Sequence, residues 1–331
     1  MSRWLAPFDR WWFPAIDPTR LAVIRVLTGV FSLWYLCRRG LWLKPFFRKP
    51  ADLWDPIGLT TLLAGPLETD VVVMLGYATV ITGVMFTIGL WWRVVGPLFA
   101  ALLLFTVTYR NSWGMVFHTE NTWVVHVLIL GFTASANKLA VDPWIRKKFK
   151  APFLGLLGFV SGSTDSHWRH GWPVKMLQLA VALPYVVAAF AKVRGPAGWD
   201  WMYGDNLRDQ VGMNGIWYAL TSGKAEAITY HIYDYDWPWV GMALLTLVVE
   251  FGAPLALLHR RIGYAVVAIL LGLHYGIWIV MGIGFKYQVT GVAFACFFEW
   301  ERLPGWVAST RARFARWRPD ETEAPQPGAS S

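Results

Sequence analysis

Charge is scarce in this chain. Only 15% of its 331 residues are Asp, Glu, Lys or Arg, against roughly 25% in an ordinary soluble domain. That shortfall excludes a conventional soluble enzyme, and an apolar majority excludes a disordered chain. Cysteine is nearly absent: Cys37 and Cys296 lie in or beside apolar stretches, with no CxxC, so there is no disulfide framework. The chain has no N-x-S/T sequon, no Walker loop and no GxGxxG fingerprint. It also lacks a tandem soluble repeat and any carboxylate–His cluster with metal-ligand spacing. The first twenty residues carry Arg3, Asp9, Arg10, Asp17 and Arg20 but no apolar run and no small-residue cleavage site, so no signal peptide is expected.

What the chain does have is apolar surface: 56% of residues are hydrophobic and 22 are Trp, a residue that collects at membrane–water interfaces. Net charge is +9. In a soluble protein that would suggest nucleic acid. Here it reads as cytoplasmic loops obeying the positive-inside rule, with lipid rather than nucleic acid as the partner.

A spanning helix needs about 20 mostly apolar residues. Eight candidates follow: Leu21–Leu36 (with Arg25), Val71–Trp92, Val94–Tyr109, Thr122–Ala136 (with His126), Lys175–Lys192, Trp237–Leu258 (with Glu250), Ile262–Ile283 (with His274) and the short Gln288–Phe298. The expected fold is an all-α transmembrane bundle over residues 1–300, followed by a basic, then polar and Pro-rich, cytoplasmic tail over 301–331. The basic loops Asn137–Gly171 and His259–Arg261 and the tail should be cytoplasmic, and the acidic loop Val193–Asp236 should face outward. Both termini are then inside. Arg38, Arg39, Lys44, Arg48 and Lys49 dissent, since they fall in a loop that this scheme puts outside. They leave room for a half-span or re-entrant segment within Leu41–Leu67.

A charge at the centre of a spanning helix costs about 2.5–3.5 kcal/mol, so each one needs a reason. Arg25, Arg93 and Lys286 read as snorkelling anchors. Glu250 should face the bundle. It either holds a proton or pairs with a cation such as Arg25 or Arg93. His126 and His274 read as hydrogen-bonded core, and His167 and His170 as solvated loop. Lys192, at the outer end of its apolar run, is either an anchor or a partly desolvated amine usable as a general base.

Taken in order, several segments resemble the HTTM family, the membrane domain shared with vitamin K-dependent gamma-carboxylases. They are Asp17-Pro18-Thr19-Arg20-Leu21 running to Arg25; Gly89-Leu90-Trp91-Trp92-Arg93; Asn121-Thr122-Trp123; Ala191-Lys192-Val193 followed by Asp200-Trp201-Met202-Tyr203-Gly204; Glu250 in an apolar helix; and His274 followed by Gly282-Ile283-Gly284-Phe285. The resemblance implies quinol-dependent carboxylation of Glu in a peptide substrate. Lys192 would be the base, with His274 and His126 catalytic. Asn121, Trp123, Asp200, Trp201, Gly204 and Glu250 would line the substrate or cofactor site. It also implies a reduced quinone (vitamin K hydroquinone or menaquinol), O2 and CO2, in a bacterial cytoplasmic membrane. The chain departs from the carboxylases at Trp123, where they carry His, at Gly276 and Ile277, and in the longer Lys192–Asp200 spacer. No large extramembrane domain follows the last helix. A reading from another class is therefore a non-enzymatic maturation or export factor for a secreted peptide or toxin.

Overall fold

A computed structural model describes residues 6–38, 49–114, 116, 118–149, 165–222 and 231–303. Among these residues the fold is all-α, and the only β pairing is an isolated bridge between Ile16 and His167. The helices are α1 (Ala6–Trp12), α2 (Pro18–Arg38), α3 (Thr69–Ile88), α4 (Trp92–Asn111), α5 (Asn121–Gly131), α6 (Val141–Phe149), α7 (Trp168–Arg194), α8 (Asp205–Ser222), α9 (Asp236–Gly252), α10 (Arg260–Met281) and α11 (Lys286–Val289). The chain divides into two units, Met1–Phe298 and Glu299–Ser331. In the second, a 3-10 turn at Trp300–Arg302 carries an Arg302–Glu299 ion pair.

Six segments are long and apolar enough to cross a membrane: α2, α3, α4, α7, α10 and α9 with its extension to Leu257. Their outer faces are what lipid requires. On α3, Met74, Tyr77, Ile81, Val84 and Ile88 are all exposed at helical spacing, a stripe that water would penalise and hydrocarbon does not. The interior is conversely polar in places, with Thr79 bonded to Thr106 (3.1 Å) between α3 and α4.

Two of the eight expected spans are shorter elements. Helix α5 has 11 residues, about 16 Å at 1.5 Å per residue, roughly half the hydrocarbon thickness. The Gln288–Phe298 run breaks at Gly291 (φ 77°) into α11 and a 3-10 turn, Val292–Phe297. Two helices at which no span was expected, α6 and α8, lie inside the long loops. The described part of the dissenting loop, from Lys49 on, forms short 3-10 turns that lie on the end of α4. There Asp55 N–H donates to Ser112 O (2.9 Å) and Lys49 Nζ to Trp113 O (2.8 Å). Residues 39–48, the tail from 304, and 150–164 and 223–230 of the two long loops lie outside the described residues.

Glycines permit the closest crossing. A Cβ on Gly96 would sit 2.5 Å from Gly131 O, and one on Gly131 would sit 2.5 Å from Gly96 O. So α4 and α5 meet backbone to backbone, the small-residue packing that membranes favour.

One of the expected anchors behaves differently. Arg25 does not snorkel: it is 0% exposed. Its guanidinium donates to Ser135 O (2.9 Å), Lys138 O (3.4 Å) and Leu139 O, and lies over Trp92. The carbonyls after α5 have no helical partner, and Arg25 satisfies them. Arg93 is exposed, as an anchor should be, and is the second residue of α4. Asp142 of α6 accepts from the Trp91 and Trp92 amides (2.8 and 2.9 Å) and caps that helix. His170, expected in solvent, is 0% exposed and accepts at Nε2 from Asn137 Nδ2 (2.9 Å).

Candidate functional site

Helix α7 carries the site. It runs unbroken through Pro184 to Arg194 and places Tyr185 and Lys192 two turns apart, on one face. Helix α9 lies alongside and ends two residues after Glu250, where Pro254 cannot continue the α-helical ladder and the chain tightens into a 3-10 turn. Lys192 Nζ donates to both carboxylate oxygens of Glu250, each at 2.7 Å. Neither Arg25 nor Arg93 is the partner of Glu250. The Lys192 side chain is 23% exposed and that of Glu250 9%, so the lysine is the more accessible member of the pair.

The Asp200-Trp201 loop closes over this pair. It is a 3-10 turn, Gly198–Tyr203, capped by Gly204 at φ 89°. A Cβ on Gly204 would lie 2.5 Å from the Trp239 carbonyl carbon, so only glycine lets the loop rest on the backbone of α9. The loop thereby buries Trp201 against Ala243 and Leu247 and puts its ring 5.3 Å from Lys192 Nζ. The indole face attracts the ammonium. Asp200 stays exposed at the rim.

Deeper along the same face of α7, Tyr185 OH lies 2.7 Å from His274 Nε2 of α10. His274 is buried, packs on Phe285 with ring centroids 4.8 Å apart, and its Nδ1 has no hydrogen-bond partner among the described residues. Tyr185 was missed by sequence reasoning. The signal was available: it precedes Lys192 by two full turns.

The remaining predicted residues lie elsewhere. His126 forms a separate network: its Nε2 faces the Leu177 carbonyl (3.2 Å), which can only accept, so Nδ1 accepts from Tyr287 OH (2.8 Å). Both nitrogens are thus satisfied. Trp123 donates to Ser32 Oγ (2.7 Å) in the core, while Asn121 is an exposed first residue of α5. Nearby, Glu120 pairs with Arg110 and accepts from Tyr35 OH (2.6 Å), a second buried ion pair that the sequence reading did not single out. Among the described residues no cluster of His, Cys, Asp and Glu could hold a metal ion.

An apolar cavity of about 270 Å³ lies between α8, α9 and α10, lined by Leu207, Val211, Val249, Leu273 and Ile277 among others. Leu207 packs against the Trp201 cluster as well, so this cavity adjoins the loop over Lys192. Fold and site together define an all-helical protein with the helices of a membrane-embedded chain and a buried lysine–carboxylate pair near one end. Comparison with family models, curated proteins and solved structures yields no match to this chain.

Proposed function

We propose that this is an integral membrane enzyme of the HTTM type, in which the Lys192–Glu250 pair acts as base toward a reduced quinone during carboxylation of a peptide glutamate. The single observation that carries the reading is the bidentate 2.7 Å pair, partly open at the rim, beneath an indole. The residues present fit a reduced quinone in two respects. The Lys192 side chain is partly exposed, and an apolar cavity lined by Leu207 and Val249 suits an isoprenoid chain. When bound, the quinol would supply a weakly acidic hydroxyl and the electrons for O2.

The protein's own part is proton handling. As ammonium and carboxylate the pair is charge-balanced. Shifting the proton from Lys192 to Glu250 leaves a neutral amine at the opening, able to accept a proton from a donor there. Trp201 lies over the amine.

The same proposal includes topology: eight crossings with both termini cytoplasmic. In support, the short α5 segment runs from Glu120, bonded to Arg110, to Thr133, whose carbonyl accepts from Trp92 Nε1 (2.8 Å). Arg110 and Trp92 stand at opposite ends of α4. The basic His259–Arg261 turn and the Lys138 loop then fall on one side.

The decisive experiment uses the full chain in nanodiscs. Mass spectrometry of an organic extract should find a bound quinone. With reduced quinone and O2, labelled CO2 should enter Glu-containing peptides, and Lys192→Met should abolish incorporation while still inserting. Full activity in that variant sinks the base assignment. A second reading, a maturation or export factor for a secreted peptide, has one observation in its favour. Helix α8 exposes Met213, Ile216, Trp217 and Leu220 at helical spacing. It predicts tolerance of Lys192→Met and loss of function on Trp217→Asp.

A further inference from the structure

We infer that Lys175 and Trp11 form a headgroup site for an anionic phospholipid, where α1 lies against the start of α7. The lipid phosphate accepts from the Lys175 ammonium, and its chains run down the apolar surface beside Leu255 and Leu258.

The first observation is a missing countercharge. A cation inside a spanning helix needs a partner. Arg25 has loop carbonyls, Arg110 has Glu120 and Lys192 has Glu250. Lys175, the eighth residue of α7, is partly buried. Among the described residues its ammonium meets neither a carboxylate nor any other acceptor; it lies 4.8 Å from the centroid of the Trp11 ring. An indole face attracts a cation but does not neutralise it. A phosphodiester does both jobs, holding one negative charge and several acceptor oxygens.

The second observation is the platform around it. No residue of α1 is buried, and Phe8 is among its exposed residues. Phe8, Trp11 and Trp12 stack with ring centroids 5.6 to 6.2 Å apart, an aromatic group of the kind that settles at headgroup depth. The platform is fixed to the bundle. Trp11 Nε1 donates to Leu257 O (3.1 Å) at the end of the α9 extension, and the chain after α1 pairs with α7 through the Ile16–His167 bridge.

Charge and apolar surface both point to a lipid. Arg10 neighbours Trp11 and offsets Asp9, the acidic residue of α1. Arg260 and Arg261 follow Leu257 closely and open α10. Basic residues gathered at a membrane surface draw anionic headgroups. Leu255 and Leu258, on either side of Leu257, are exposed, so acyl chains have a surface to cover that a free phosphate would leave bare. The site lies about 25 Å along α7 from Lys192, at the opposite end of the helix.

The test has two arms on the full chain. In the first, solid-state NMR of chain labelled with ¹⁵N-lysine identifies the Lys175 Nζ signal as the one lost in Lys175→Arg. That signal should be dipolar-coupled to lipid ³¹P in phosphatidylglycerol bilayers. Absence of coupling overturns the inference, and equal coupling to inorganic phosphate added to phosphatidylcholine bilayers overturns the lipid as its source. In the second arm, native mass spectrometry follows lipid binding to delipidated protein. Phosphatidylglycerol should be retained in preference to phosphatidylcholine. Lys175→Gln should weaken that binding about five-fold, the effect of one lysine at an anionic surface, Trp11→Leu should weaken it too, and Lys175→Arg should keep most of it. Equal retention of the two lipids, or unchanged phosphatidylglycerol binding in a folded Lys175→Gln, overturns the site.

Discussion

Lys192 Nζ sits equidistant, at 2.7 Å, from the two carboxylate oxygens of Glu250, 58 positions further along the chain. Such a pair is costly to break and cheap to replace as a whole. Truncating one member leaves an uncompensated charge in a dry site, a loss of about 3–5 kcal/mol, whereas an apolar pair of similar volume is often neutral. Glu250→Leu should therefore destabilise the protein by about 3 kcal/mol or more, and adding Lys192→Met should restore most of it. Detergent-titrated unfolding measures both. Additive losses in the double variant would show that the two residues are not coupled.

Arg25 should be equally intolerant, for a different reason. Its guanidinium serves the carbonyls of Ser135, Lys138 and Leu139, and each buried carbonyl left without a donor costs about 1–3 kcal/mol. Arg25→Met should lower stability by about 3 kcal/mol or more. Arg25→Lys should recover only part of this, because an ammonium lacks the planar fork. Recovery to the native midpoint by lysine would indicate that charge alone matters there.

The crossing of α4 and α5 predicts a size limit. Gly96→Val forces a side chain into the Gly131 carbonyl, an overpacking cost of about 1–3 kcal/mol. Gly241, where a Cβ meets nothing within 4 Å, is the control: Gly241→Ala should be neutral or slightly stabilising in its helix. Equal midpoints for the Gly96 and Gly241 variants would contradict the backbone-to-backbone packing.

One pH effect follows from a group outside the spans. Burial tends to raise the Asp17 carboxyl, but hydrogen bonds from the Thr19 hydroxyl and amide and from Lys138 outweigh it and hold the group below its ordinary range. The distances are 2.7 Å from Thr19 N and 3.1 Å from Lys138 Nζ. Because the folded value is depressed, this contribution is present above the unfolded value of about 3.9. It is lost as pH falls through the lower folded value. The stability difference between the native chain and Asp17→Asn should be flat above about pH 4 and vanish below it. A difference that persists unchanged in stronger acid would remove Asp17 from the account.

Much of the architecture was legible. Long runs such as Thr69–Ile88 declare themselves because lipid leaves the backbone no partner but itself. The segments whose lengths differ from the expected spans are those packed mostly against protein. Helix α5 and the Val292–Phe297 turn are apolar and largely buried, and a short apolar run does not state whether lipid or protein surrounds it. Helix α8 was hidden for the opposite reason. Its charged residues Arg208 and Asp209 and its glycines interrupt any apolar run, and its packing against α9 and α10 appears only in the fold.

By itself the sequence determined that the chain is apolar and helical, and which few charges the apolar majority retains: Arg25, Lys192, Glu250 and, on the histidine side, His126 and His274. Burying a charge is so costly that each must have a partner, so composition alone guarantees that partners exist. Which partner each one finds was decided only in three dimensions. Arg25 answers loop carbonyls, Glu250 answers Lys192, and His274 answers Tyr185, because helix crossings set by glycine contacts and a proline-ended helix bring distant positions to the same depth. No spacing along the chain encodes that depth.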